Sequence, residues 1–206
     1  MNPLLFTKKT IHRQLLEDEL KRQAGKFSGK ILDIGSKDAR YSNWFVGEVI
    51  SIDITPNPKK GVIKGDINNL NFEPSSFDTV IATEVFEYLA NTTTALNEIF
   101  KVLKPGGTLL LSVPLIYRVH GDLVRYTEEA WGKFLVNFSQ VDFFYIGNFY
   151  TIILDVLRDK ITKFPNRVLR YLIYLPFIFL IFLSPFLLKL SKDRNFVSGY
   201  LISARK

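Results

Sequence analysis

The sequence predicts an α/β fold with a doubly wound, mostly parallel sheet of seven strands. Short apolar, β-branched runs alternate with segments of helical periodicity. The runs at 77–83 and 108–113 are apolar almost throughout, as in strands that are covered on both faces. Several runs end in an acidic residue or a turn, at the sheet edge where such folds bind ligands.

Thr10 is predicted to cap a first helix, which ends near Ala24 before Gly25. A Pro-Gly-Gly turn is predicted at 105–107. Further helices are predicted at about 41–46, 93–103 and 127–137. Strands are predicted at 30–34, 49–54, 61–66, 77–83, 108–113, 141–145 and 199–205.

Composition excludes several kinds of chemistry. The chain has no cysteine and two histidines, which argues against disulfide scaffolds, thiolate sites and a multi-histidine metal site, and no metal site is predicted. The net charge of +7 would ordinarily suggest nucleic acid. Residues 1–157, however, carry 17 basic and 18 acidic side chains, whereas residues 158–206 carry ten basic and two acidic. The basic excess is therefore confined to the last quarter, and nucleic-acid binding is not expected.

An apolar segment lies inside the basic region. Sixteen of the twenty residues at 171–190 are apolar. Basic residues flank both ends, which predicts that both ends face the cytoplasm, and Pro176 and Pro185 are expected to divide the segment into pieces too short to span a bilayer. We therefore expect residues 1–157 plus 195–206 to form the sheet domain. Residues 158–194 are expected to form a shallow or re-entrant helical insertion before the last strand, which holds the domain on an anionic membrane face. A buried helical pair or an oligomer interface is the alternative.

Acidic residues follow successive strands in a regular order. Asp33 ends the first predicted strand, and Asp53 ends the second, twenty residues later. In nucleotide-binding α/β folds the turn after the first strand approaches the ligand, and an acidic residue after the second binds ribose hydroxyls. Asp66 and Glu84 follow the third and fourth strands, so the four carboxylates are expected at one sheet edge.

The chain resembles the class I S-adenosylmethionine-dependent methyltransferases over about residues 28–147 and at the closing strand. The segments ILDIGSKDA, ISIDI, GDINNLNFEPSSFDTVIATEVFEYL and NEIFKVLKPGGTLLLSVP are similar to that family's successive motifs, in order. HGDLVRYT is similar to a segment in a branch that often acts on glycans, lipids or other small molecules. The resemblance implies a Rossmann-like sheet whose last strand is antiparallel, and S-adenosyl-L-methionine as the cofactor.

The resemblance also implies cofactor-binding roles for particular residues. Asp33 would approach the amino group of the methionine moiety, and Gly35 and Ser36 would face that moiety. Asp53, followed by Ile54, would bind the ribose hydroxyls. The adenine would meet Asp66 and Ile67, and the sulfonium end would be lined by Thr83 and Glu84.

Two departures from the family pattern stand out. The second and third glycines of the first turn are replaced by Lys37 and Ala39. If that turn needs positive φ at Lys37, strain of roughly a kcal/mol is expected. In addition, Tyr88 follows Glu87 where the family often has a Glu-His pair.

Methyl transfer requires alignment of donor and acceptor, with a base where the acceptor is a hydroxyl. His120 is the candidate base, with Asp122 as its orienting carboxylate; a loop histidine bonded to the backbone is the alternative. Arg125 and Tyr126 are candidates for binding an anionic substrate group, or for anchoring the next helix. His12 is assigned no role.

We therefore expect an enzyme that transfers a methyl group from S-adenosylmethionine to a small or lipid- or glycan-linked acceptor, on the cytoplasmic face of a membrane. A non-catalytic, membrane-bound interaction module of the same fold is the alternative. A nicotinamide oxidoreductase is disfavoured, because the first turn lacks two of the three fingerprint glycines.

Overall fold

The computed structural model describes residues 9–117, 121–163, 165–190 and 194–206. Its seven-stranded sheet has the order β3-β2-β1-β4-β5-β7-β6. The strands are β1 (Ser28–Ile34), β2 (Val46–Asp53), β3 (Val62–Lys64), β4 (Phe77–Thr83), β5 (Leu103–Pro114), β6 (Gln140–Ile146) and β7 (Gly199–Arg205). The helices are α1 (Ile11–Ala24), α2 (Thr92–Val102), α3 (Glu128–Phe134), α4 (Phe149–Thr162), α5 (Arg167–Phe182) and α6 (Ser184–Leu190).

The first five strands are parallel. β1 pairs with β2 from Ser28 opposite Val46 to Ile34 opposite Ile52, and β4 lies on its other side. β3 pairs with β2, and β5 pairs with β4. This register aligns the carboxyl ends of β1, β2 and β4 at one edge of the sheet.

β7 is antiparallel to both of its neighbours. Gly106 at the start of β5 donates to Lys206 O just after the end of β7 (3.0 Å), and Ser198 just before β7 donates to Ile146 O at the end of β6 (2.8 Å). The predicted fold class is confirmed: a doubly wound, mostly parallel sheet with an antiparallel last strand.

The central strands form the core because both of their faces are covered. Ile31, Leu32, Ile81 and Leu110 are fully buried. Burying each such side chain contributes about 1.5–3 kcal/mol relative to leaving it exposed. The near-continuous apolar pattern read from the sequence thus corresponds to buried parallel strands.

The predicted helix at 41–46 is wrong. Only a short 3-10 turn, Ser42–Trp44, is present, and β2 already begins at Val46. Val46, the last residue of the predicted helix, belongs instead to β2, where it pairs with Ser28 of β1.

The chain divides into two compact units. A helical unit comprises Met1–Asp18, Ile116–Arg118 and Tyr145–Gly199, and a sheet unit comprises Glu19–Leu115, Val119–Phe144 and Tyr200–Lys206, each as far as its residues are described. These boundaries differ from the predicted 158–194 insertion, because α4 and the start of α1 group with the apolar segment.

In the helical unit, Ile11 and Leu154 form a buried cluster with Phe177 and Ile181 of α5. Pro176 does not break α5, which continues through it. The helix ends at Phe182, before Pro185, which occupies the first turn of α6, where proline is tolerated. Among the described residues, no helix combines the length and apolarity needed to cross a bilayer.

Candidate functional site

All of the predicted cofactor-binding residues lie in the sheet unit, at the carboxyl ends of its strands. Asp33 lies near the end of β1 and Asp53 is the last residue of β2. Asp66 follows β3 by two residues, and Glu84 directly follows β4. The parallel register therefore collects the four carboxylates along one edge, as predicted.

Asp33 is held in a buried polar pocket. Its side chain is 2% exposed. Its Oδ2 accepts hydrogen bonds from the hydroxyls of Ser36 (2.7 Å) and Ser42 (3.3 Å). Burial raises the pKa of Asp33 to about 6, against the lowering effect of these hydroxyls. Within the described residues its Oδ1 is buried and has no hydrogen-bond partner, which leaves an acceptor that a cationic group would satisfy.

The turn after β1 is tightly constrained. Gly35 has φ 69°, and a Cβ there would lie 2.4 Å from Val85 Cγ2, so only glycine fits. The backbone N–H groups of Gly35 and Ser36 both donate to Ile52 O (2.9 and 3.1 Å). This pairing fixes the turn against the end of β2.

Lys37 and Ala39 both adopt φ 50°, the left-handed conformation that favours glycine. The strain expected at Lys37 is therefore present, and Ala39 shares it. Each residue with a Cβ in this conformation raises the free energy of the folded state by roughly 1–2 kcal/mol. The turn keeps the shape of a glycine-rich turn although two of its residues carry side chains.

Asp53 links this turn to the segment after β2. Its Oδ2 accepts from Lys37 N (3.0 Å) and its Oδ1 accepts from Thr55 N (2.8 Å). Each carboxylate oxygen has a second lone pair. The two backbone donors thus orient a partly exposed carboxylate that can still accept from hydroxyl groups.

A cleft of about 490 Å³ lies beside the ends of β2 and β3. Ile54, 72% exposed, and Asp66 line it. Asp66 Oδ1 accepts from Asn68 N (2.9 Å), which stabilises the turn. Ile67 is 4% exposed and does not line this cleft, so its side chain belongs to the core. The remaining lining residues are Ile52, Ile63, Lys64, Gly65, Asn69, Leu70, Asn71 and Phe72.

Thr83 ends β4, and Glu84 follows it with φ 55°. Glu84 N donates to Ser112 O (3.0 Å), and Ser112 Oγ donates to Glu84 Oε1 (3.1 Å). Ser112 on β5 is fully buried. The side chain of Glu84 is therefore held by a hydrogen bond from the neighbouring strand β5.

Of the candidate catalytic and substrate-binding residues after β5, the structure describes Asp122, Arg125 and Tyr126. His120 lies outside the described residues. Asp122 Oδ2 accepts from Arg125 Nε (2.6 Å), and Arg125 Nη1 donates to Leu115 O (2.7 Å). Tyr126 accepts from Thr92 Oγ1 (3.3 Å) and packs against aromatic rings of α3. Asp122 is therefore hydrogen-bonded to Arg125. Arg125 and Tyr126 also make contacts that anchor the chain segment leading into α3.

Glu87, which was not predicted from the sequence as a site residue, also lies in this region. It is 2% exposed, and its carbonyl oxygen accepts from Leu123 N (2.7 Å) and Val124 N (3.2 Å). The loop after β5 is thus fixed to the 3-10 turn Phe86–Tyr88. The only signal in the sequence was the motif position of Glu87 beside the unusual Tyr88.

The site's residues fit a cofactor with a cationic amino group, a diol and a planar ring. The unsatisfied Oδ1 of Asp33 fits the amino group, Asp53 fits the diol, and the cleft beside Ile54 fits the ring. Within the part of the chain that is described, no cluster of three or more His, Asp or Glu side chains could hold a metal ion.

Known methyltransferases resemble this chain in part of its sequence and in its α/β fold. Residues 32–111 match the family described as "Methyltransferase domain". A S-adenosylmethionine-dependent methyltransferase from Archaeoglobus fulgidus has a similar structure, with a TM-score of 0.62, 17% identity and coverage of 94% of each chain. The predicted resemblance to the class I methyltransferases is therefore confirmed.

Two curated proteins match shorter segments. A highly reducing polyketide synthase of Penicillium rubens is 41% identical over 63 residues, which are 31% of this chain and 2% of the synthase. A sterol 24-C-methyltransferase of Clavispora lusitaniae is 45% identical over 49 residues, 24% of this chain and 13% of that enzyme. The matched segments are thus a small part of both relatives.

Proposed function

We propose that the protein is an enzyme that transfers a methyl group from S-adenosyl-L-methionine to a small or lipid- or glycan-linked acceptor. The observation that carries the proposal is the buried Oδ1 of Asp33, an unsatisfied acceptor beside the strained first turn. That acceptor lies at the same edge of the sheet as the carboxylates of Asp53, Asp66 and Glu84. The matched methyltransferase domain supports the same chemistry.

The cofactor would supply an electrophilic methyl group on a sulfonium. Asp33 would accept from its ammonium group, and Asp53 would accept from its ribose hydroxyls. Ile54 and Asp66 would border its adenine in the cleft, with Ile67 packed behind. Gly35 and Ser36 would face its methionine part, and Thr83 and Glu84 would border its sulfonium end. Because alignment supplies most of the rate for such a displacement, these contacts are the core of the mechanism.

We place the acceptor at the cytoplasmic face of a membrane. The apolar, basic-flanked segment supports this location, and the match to a sterol methyltransferase supports an apolar acceptor. His120 remains the proposed base. Asp122 would orient it while bonded to Arg125, and Arg125 and Tyr126 would border the acceptor.

A non-catalytic, membrane-bound interaction module is the second candidate. The observation that favours it is the left-handed conformation of Lys37 and Ala39, since the side chains of these residues occupy a turn that otherwise offers open backbone. The exposed Lys37 side chain would be the main obstacle to cofactor binding.

Transfer of labelled methyl tests the two candidates. Protein incubated with methyl-labelled S-adenosylmethionine is expected to label a component of a total lipid extract or of a water-soluble metabolite extract, and the Asp53→Ala variant is expected to label at least tenfold less. Labelling of neither extract by the wild-type protein, with cofactor bound, would favour the interaction module.

A further inference from the structure

We propose that the exposed side of α5 is a docking surface for an anionic lipid bilayer and that α5 lies in the plane of its interface. This surface, the outer face, consists of Val168, Leu172, Leu175, Phe179 and Phe182. The inference concerns the helical unit and does not depend on the proposed methyl transfer.

The outer face is a continuous apolar stripe. Its residues follow one another at intervals of four and three, which places them on one side of the helix. They are 70%, 62%, 67%, 67% and 55% exposed, in chain order. Phe186 in α6 is another large exposed side chain, at 60%. So many large exposed side chains in succession mark an interaction site rather than ordinary surface.

The opposite side of α5 already fills the core of the helical unit. Phe177 and Ile181 are 4% and 2% exposed and pack with Ile11 and Leu154. The unit therefore does not need the outer face for its own core. A helix that is apolar on both sides needs a second apolar environment.

The dimensions favour an orientation in the membrane plane. With 16 residues, α5 is about 24 Å long, shorter than the roughly 30 Å hydrocarbon core. The chain turns at Leu183 before α6 begins. The basic residues at the start of α5 can remain among the headgroups while the outer face enters the boundary of the acyl chains.

The charge of the segment favours an anionic bilayer over a second copy of the chain. Between Asp159 and Asp193 the sequence has basic residues and no acidic one. Asp159 is paired with Lys163 (2.8 Å), while Lys160 and Lys189 are exposed. A second copy would oppose positive charge with positive charge, whereas anionic headgroups would neutralise it.

Vesicle cosedimentation tests the proposal. Full-length protein without cofactor is mixed with phosphatidylcholine vesicles that contain or lack phosphatidylglycerol. The wild-type protein is expected to sediment with the anionic vesicles, and less in high salt. The Leu175→Asn/Phe179→Asn double variant is expected to bind at least tenfold more weakly, which corresponds to about 1.4 kcal/mol.

The matched control is Val46→Asn/Val136→Asn, which changes two residues of the sheet unit that are 65% and 76% exposed. It is expected to bind as the wild type does, and far-ultraviolet circular dichroism checks that both variants are folded. Equal vesicle binding by the two double variants would overturn the proposal. So would a wild-type dimer that ignores vesicles and becomes monomeric on Leu175→Asn/Phe179→Asn, because the outer face would then bind a second copy.

Discussion

Burial of Asp33 makes both stability and cofactor binding depend on pH. Its pKa is about 6 in the fold, against an ordinary value of 3.8. The folded state therefore binds more protons between these values, and the free energy of unfolding decreases as pH rises through them. Above pH 6 the difference amounts to about 3 kcal/mol, since one pKa unit is about 1.36 kcal/mol.

Asp33→Asn is expected to remove this dependence. Urea unfolding above pH 6 should give a free energy of unfolding about 1–3 kcal/mol higher than that of the wild type, because no charge is buried. Cofactor affinity should fall at least tenfold, because the paired carboxylate is gone. Asp142→Asn, at an exposed carboxylate of β6, is the control and should change neither quantity. A wild-type unfolding free energy that stays constant between pH 4 and 7 would contradict the assignment.

The first turn stores strain that glycine would relieve. Lys37→Gly and Ala39→Gly are each expected to raise the free energy of unfolding by about 0.5–1 kcal/mol, because glycine adopts φ 50° without a Cβ clash and this gain exceeds its entropy cost. Thermal unfolding would measure the change. Ala130→Gly in α3, which lacks positive φ, should instead destabilise by about 1 kcal/mol. Destabilisation at all three positions would show that the turn is not strained.

At the scale of elements, Asn148 joins two helices of the helical unit. Its side chain accepts from Thr151 N (3.2 Å), and Thr151 Oγ1 accepts from Asn148 N (2.7 Å), which forms a capping box at the start of α4. Asn148 Nδ2 also donates to Leu187 O of α6 (3.1 Å). One buried side chain thus caps α4 and binds the end of the apolar segment.

Asn148→Ala is expected to destabilise the helical unit by about 2–3 kcal/mol, because it removes a cap and leaves the partly buried carbonyl of Leu187 without this hydrogen bond. Hydrogen exchange of the α4 and α6 amides would show the loss locally. Asn91→Ala removes an exposed cap of α2, whose side chain accepts from Thr94 N, and should cost about 1 kcal/mol. Equal effects of the two substitutions would mean that the contact with α6 contributes nothing.

Elements were predictable where the local pattern agreed with the fold. The strands at 77–83 and 199–205 were predicted with their observed bounds because each is a largely apolar run that follows serine residues, which favour turns. The helix at 41–46 failed because Val46 is required by the register of β2. Helix α4 was missed although Asn148 and Thr151 carry a capping signal. Pro176 was expected to break or kink a helix, and α5 continues through it without a break.

At the scale of the molecule, topology made the site predictable in outline. Parallel strands bring Asp33, Asp53, Asp66 and Glu84 to one edge, so their order in the sequence was sufficient to group them. The hydrogen bonds within loops could not be predicted from the sequence, because they depend on which donors and acceptors the fold places close together. The bond of Asp122 to Arg125 and the support of Leu123 by Glu87 are examples.

The proposed function rests on cofactor binding, which isothermal titration calorimetry with S-adenosylhomocysteine measures. Wild-type protein is expected to bind one equivalent, with affinity that increases as pH rises through about 6, where Asp33 becomes ionised. Asp53→Ala should weaken binding at least tenfold, whereas the exposed-site control Asp142→Asn should not. Absence of binding by the wild-type protein at millimolar ligand, or equal binding by Asp53→Ala, would contradict the account.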